Sequence, residues 1–114
     1  YFLGGIMNFE TIKKAFIKHY EGDLQSFFKL FLEDLHCESI HKSSMGNKVK
    51  NYDEFVNMVK DVKWVSEPVI QCVLETPNTV VKTVDGFDSN FTYLEIDYIQ
   101  DGKIVKHIYG KVPK

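Results

Sequence analysis

Arginine is absent from this 114-residue chain: all 14 basic residues are lysines. Bidentate clamping of phosphate or carboxylate, reading of guanine in a major groove and arginine-assisted water activation all need the planar guanidinium fork, so they are excluded. Cysteine is scarce as well. Cys37 and Cys72 are too few for a disulfide framework, and without a secretion signal they are expected to be free buried thiols in a reducing compartment, the cytoplasm. Long apolar runs are missing: the longest candidate, Phe27 to Leu32, is broken by Lys29 and falls far short of the roughly 18 residues that span a bilayer. No membrane partner is expected. A net charge of -2 and an isoelectric point near 6.1 argue against a nucleic-acid partner, and the lysines at 42, 48 and 50 read as a solvated loop.

What is present is an ordinary globular composition, 44% hydrophobic with 9 Phe and 6 Tyr to fill a core, so overall disorder is not expected. The length suits one domain, 7–114. Residues 1–6, YFLGGI, lack the basic start and long apolar centre of a signal peptide and read as an expression scar ahead of a native Met7.

Phe9, Ile12, Phe16 and Tyr20 recur at helical spacing, with Gly22 as a stop. Asp23 can cap a second helix whose apolar face is Leu24, Phe27, Phe28, Phe31 and Leu35. Asn51 and Glu54 resemble a capping box ahead of a third helix carrying Tyr52, Phe55, Val56, Val59 and Val62. Past Lys63 the period falls to two and β-branched and aromatic residues dominate. Strands are expected near Val65–Glu75, Thr79–Asp85, Phe91–Ile99 and Ile104–Val112, joined by short turns into an antiparallel sheet. The predicted class is α+β, three N-terminal helices packed on a curved antiparallel β-sheet.

This order, with a DL-initiated second helix ending in Glu33 and Asp34 and a terminal DGKIV hairpin at Asp101 to Val105, resembles the NTF2-like superfamily, and within it the SnoaL-like polyketide cyclase and ketosteroid isomerase branch. The resemblance covers Met7 to Val112. It implies a cystatin-like cone in which a bent sheet wraps the helices and leaves an internal pocket, often in a homodimer. The fold serves isomerases, cyclases and dehydratases, and also proteins that only bind or associate. Of the three groups that steroid isomerases use, the tyrosine position falls on Ala15 and the base position on Ser39, whereas the acid position falls on Glu95. One part of three survives. The aspartate, arginine, aspartate arrangement of limonene-type epoxide hydrolases is ruled out by the missing arginine.

Which way Glu95 faces depends on the last turn. A two-residue Asp101-Gly102 turn pairs Asp97 with Lys106 and Glu95 with Ile108, on the solvent face. A three-residue turn at Gln100 to Gly102 pairs Asp97 with Val105, Glu95 with His107 and Tyr93 with Tyr109, toward the helices. The alternation of Leu94, Ile96 and Tyr98 favours the first; the family's inward-pointing acid favours the second, which is the one adopted.

On that reading Glu95 and Asp97 share one face in an apolar cavity, where burial and repulsion shift a carboxyl pKa into the range of a general acid or base, with His107 as partner. A solvated face, or an ion pair to Lys106 or Lys82, is the structural alternative. Glu95, His107 and Asp97 are thus the catalytic candidates. Ser39, Cys37, Trp64, Tyr109 and Tyr93 are candidates to line a ligand pocket. His36, Glu38 and His41 carry no second metal-binding motif, so neither a metal nor a cofactor is expected. The segment Lys42 to Lys50 is a candidate lid. The chain is therefore expected to take a small, largely apolar molecule, with proton-transfer chemistry of isomerase, cyclase or dehydratase type, or else to act as a non-catalytic homodimerisation module.

Overall fold

The computed structural model describes residues 7–40 and 49–114. The candidate scar at 1–6, and His41 with most of the candidate lid, lie outside the described residues. Helix α1 (Phe9–Tyr20) opens with Asn8 accepting from the Thr11 amide and buries Phe9, Ile12, Ala15, Phe16 and His19. Tyr20, assigned above to its apolar stripe, is 45% exposed, and His19 takes the inward place instead. Asp23 caps helix α2 (Leu24–Phe28) through the Ser26 amide. Helix α3 (Tyr52–Val59) has the full capping box between Asn51 and Glu54.

The second helix is shorter than its periodicity suggested. Chain from Phe31 onward forms strand β1 (Phe31–Ser39), so Glu33 and Asp34 are exposed strand residues rather than a helix end. A five-residue helix makes too few internal bonds to hold its own, and residues 31–39 instead pair with the last strand at Phe31 and again from His36 to Ser39. Since β1 and the short β2 (Val49–Lys50) precede α3, the helices are not three N-terminal elements in a row.

The remaining strands are β3 (Val69–Thr76), β4 (Thr79–Asp85), β5 (Phe91–Gln100) and β6 (Lys103–Pro113). They join the first two in one curved six-stranded sheet of order β2-β1-β6-β5-β4-β3, antiparallel except where β1 runs parallel to β6. The α+β class holds, with the core between helices and inner sheet face: Ile12, Phe16, Phe27, Phe55, Val80, Val84 and Ile104 are all buried.

The last hairpin corrects the adopted turn. Asp101 (φ 52°) and Gly102 (φ 75°) both take positive φ, the signature of a two-residue type I′ turn, and Gln100 pairs with Lys103. Three residues on, the register slips: Ile99 pairs with Ile104 but Tyr98 pairs with Lys106, leaving Val105 as a bulge in β6. One extra residue turns every later side chain of β6 over. Asp97 therefore faces His107 and Glu95 faces Tyr109, all on the inner face, while Lys106 faces outward beside Tyr98.

Candidate functional site

Three rows of side chains cross the inner sheet face. Ile70, Val84 and Tyr93 form the first, Cys72, Lys82, Glu95, Tyr109 and Ser39 the second, and Val80, Asp97, His107 and Cys37 the third. Lys82 sits there because β4 alternates inward Val80, Lys82 and Val84 with outward residues. Its ammonium is fully buried, hydrogen-bonds Asp97 Oδ2, and lies 3.0 Å from Glu95 Oε1 in an ion pair too poorly aligned to be a hydrogen bond. Its cation also lies 5.1 Å from the centre of the Phe16 ring.

Asp97 bridges Lys82 and His107, whose Nδ1 is 2.5 Å from Asp97 Oδ1. Burial by itself would raise the Asp97 pKa, but the Lys82 ammonium and His107, with the hydrogen bonds from both, outweigh it and hold the carboxyl at about 2. Burial would lower the Lys82 pKa, and the two carboxylates outweigh that in turn and raise it. An ionised Asp97 has no proton to give. Its partner His107 Nδ1 therefore carries the hydrogen, and in the neutral ring the lone pair is on Nε2. The imidazole is wedged edge-on to Phe31 and Phe55 and stacked on Tyr109, which fixes its plane.

Beside this cluster lies a cavity of about 400 Å³ between helices and sheet. Phe16, Phe27, Phe55, Met58 and Phe87 supply most of its apolar wall, and Glu95, His107, Tyr93 and Tyr109 its polar sheet side. Burial raises the pKa of both tyrosines, which keeps them neutral phenols. The Tyr109 hydroxyl donates to Met58 Sδ at 3.5 Å.

Of the residues singled out from sequence, Glu95, His107, Tyr93 and Tyr109 come together on the cavity wall. Asp97 stands directly behind His107, fully buried and away from the cavity surface. Cys37 is buried next to His107 in the ladder and Ser39 is next to Tyr109, but neither lines the cavity. Nor does Trp64, whose indole N–H donates to His19 Nδ1 at 2.9 Å and whose rings stack on Phe87 at 4.0 Å. Cys72 is exposed on β3, against the expectation of a buried thiol. His36 and Glu38 pair with each other 3.0 Å apart at the surface, and among the described residues no three His, Cys, Asp or Glu side chains are placed to hold a metal ion.

Two residues escaped the sequence reading. Lys82 entered only as an ion-pair alternative, although its parity with Val80 and Val84 marks it as inward-facing. His19 has no such signal, because Tyr20 fits the helical stripe equally well.

No protein-family model and no curated protein matches the sequence. Solved structures do match. An NTF2-like protein of unknown function from Shewanella baltica superposes with a TM-score of 0.65 at 14% identity, over 93% of this chain and 94% of its own. Wild-type IdmH from Streptomyces antibioticus, provisionally assigned as a polyketide cyclase, superposes at 0.67 and 14% identity, over 90% and 87%. A provisionally assigned ketosteroid isomerase from Kribbella flavida gives 0.62 at 11%, over 90% and 76%. The chain thus has the NTF2-like fold, as its sequence suggested, and its structural neighbours include the cyclase and isomerase branch. At these identities the likeness establishes the fold alone.

Proposed function

We propose that the protein binds a small, largely apolar molecule in the 400 Å³ cavity and moves a proton on it, with His107 Nε2 as the base. The observation that carries this is the Asp97 and His107 pair at the wall of an otherwise apolar pocket. A carboxylate behind an imidazole fixes its tautomer and stabilises the imidazolium formed when Nε2 takes a proton. Glu95, on the same wall, is the second group able to receive or return that proton. Isomerisation, cyclisation and dehydration each begin with such a transfer; cyclisation then forms a bond at the carbanion, and dehydration breaks the C–O bond as a proton is returned to the departing hydroxyl. The structural neighbours assigned as cyclase and isomerase support the reading at the level of fold.

A suitable test is hydrogen-to-deuterium exchange at the methylene of 2-hydroxyacetophenone in D2O, followed by NMR. Exchange should exceed the buffer rate and fall about 100-fold or more in His107→Gln at an unchanged melting temperature. Exchange at the buffer rate with the wild-type protein would refute catalysis at this site.

A second reading, association without catalysis, draws on the outer sheet face. There Leu74, Val81, Ile96 and Ile108 lie side by side across four strands, with Leu74 54% exposed. A second copy of the chain is the partner expected for such a row. Light scattering should then show a dimer that Leu74→Lys converts to monomer; a monomeric wild-type protein refutes it.

A further inference from the structure

The polar side of the cavity has an unusual polarity. Glu95 is 4% exposed, and among the described residues its ion-pair partner is Lys82, through Oε1. Oε2 has no hydrogen-bond or ion-pair partner among the described residues. His107 is 5% exposed; Asp97 takes its Nδ1, and Nε2 has no partner among those residues either. Lys82, the cation closest to both, is fully buried and forms no part of the cavity surface, sealed behind the two carboxylates it neutralises. Lys63 lines the cavity but is exposed. A molecule reaching the inner wall thus meets a carboxylate oxygen and an imidazole lone pair, and among the described residues no cation is presented there. The Tyr93 hydroxyl, one pair of residues along β5, can donate or accept and does not select.

We infer that the cavity takes a ligand with an aromatic or apolar body and a head carrying two hydrogen-bond donors, one for Glu95 Oε2 and one for His107 Nε2. This rests on the pocket reading above and narrows it. A ligand that covers these acceptors without supplying donors leaves them buried and unpaired, which is costly, so a donor head gains what an acceptor head forfeits. A carboxylate or phosphate head on the inner wall would face Glu95 with no cation among the described residues there except Lys82, which is sealed behind the carboxylates, and the chain has no arginine. The flat walls of Phe16, Phe27, Phe55 and Phe87 suit an aromatic body, and a cationic donor head would also gain from their ring faces.

Four probes of matched shape separate the possibilities by calorimetry and amide chemical shifts: 4-phenylbenzamidine (cationic donor), 4-phenylcatechol (neutral donor), 4-phenylbenzoate (anionic acceptor) and 4-acetylbiphenyl (neutral acceptor). At least one donor probe should bind tenfold or more tightly than either acceptor probe, with shifts centred on β5 and β6. Binding of the amidine alone identifies a cationic head, whereas binding of the catechol shows that neutral donors suffice. In Glu95→Gln, which adds an N–H to the wall, the preference should shrink or reverse while the melting curve confirms folding. Equal binding of all four, or tighter binding of an acceptor probe, overturns the donor rule and leaves the pocket standing. Failure of all four to bind at millimolar concentration overturns the pocket reading along with it.

Discussion

Lys82 is the residue on which the inner wall depends. A buried ammonium with two carboxylates is costly to desolvate, and breaking such a cluster by removing one member leaves the others uncompensated. Lys82→Met should therefore lower stability by about 3 to 5 kcal/mol in urea titration. Adding Asp97→Asn and Glu95→Gln to it should recover most of that loss, since the three together remove the buried charge. A loss below about 1 kcal/mol in the single variant would mean that water reaches the cluster. At this scale the sequence was only partly legible. Glu95 and His107 stand out as acid and base in apolar strands, whereas Lys82, equally conspicuous in TVVKTVD, entered only as an ion-pair alternative; a lysine is so rarely buried that its pattern alone does not mark it as central.

Among the elements, the segment between α3 and β4 leans on a glycine. Gly86 sits at φ +120°, and an added Cβ would come within 3.0 Å of the Ser66 carbonyl oxygen and the Trp64 ring. Its carbonyl accepts from the Val65 amide at 2.8 Å, tying the approach to β3 against the end of β4. Gly86→Ala should cost roughly 2 kcal/mol or more and shift the Trp64 fluorescence, because the indole stacked on Phe87 has to move. Unchanged emission with unchanged stability would contradict this packing. Caps, the places of the turns and the strand character of β4 to β6 were readable because each is local, whereas the length of the last turn and the Val105 bulge were not. Strand β1 was not: Phe31 and Leu35 fit a helical stripe and an inward strand face equally well, and only the parallel partner β6 decides between them.

For the whole molecule, acid stability tests the electrostatics. Asp97 ionises near 3.8 when unfolded and at about 2 when folded, so its contribution is complete above about pH 4 and is lost as pH falls from there toward 2, on the order of 2 kcal/mol in all. His19 acts in the same direction at higher pH. Burial lowers its pKa from 6.5, with the Val59 backbone opposing, so the unfolded chain takes up that proton first and stability begins to fall as pH drops through 6.5. Urea midpoints should decline below pH 6.5 and again below pH 4; His19→Gln should flatten the first decline and Asp97→Asn the second. A flat profile between pH 7 and 3 would show that neither group is held as described. The sequence by itself determined the α+β class, the helix caps, the places of the short turns and the residues able to do acid and base chemistry, because all of these follow from neighbours a few positions apart. Tertiary structure alone decided which of those residues meet: the Val105 bulge turns His107 toward Asp97, and the parallel docking of β1 extends the sheet next to His107, both set by pairing between distant strands.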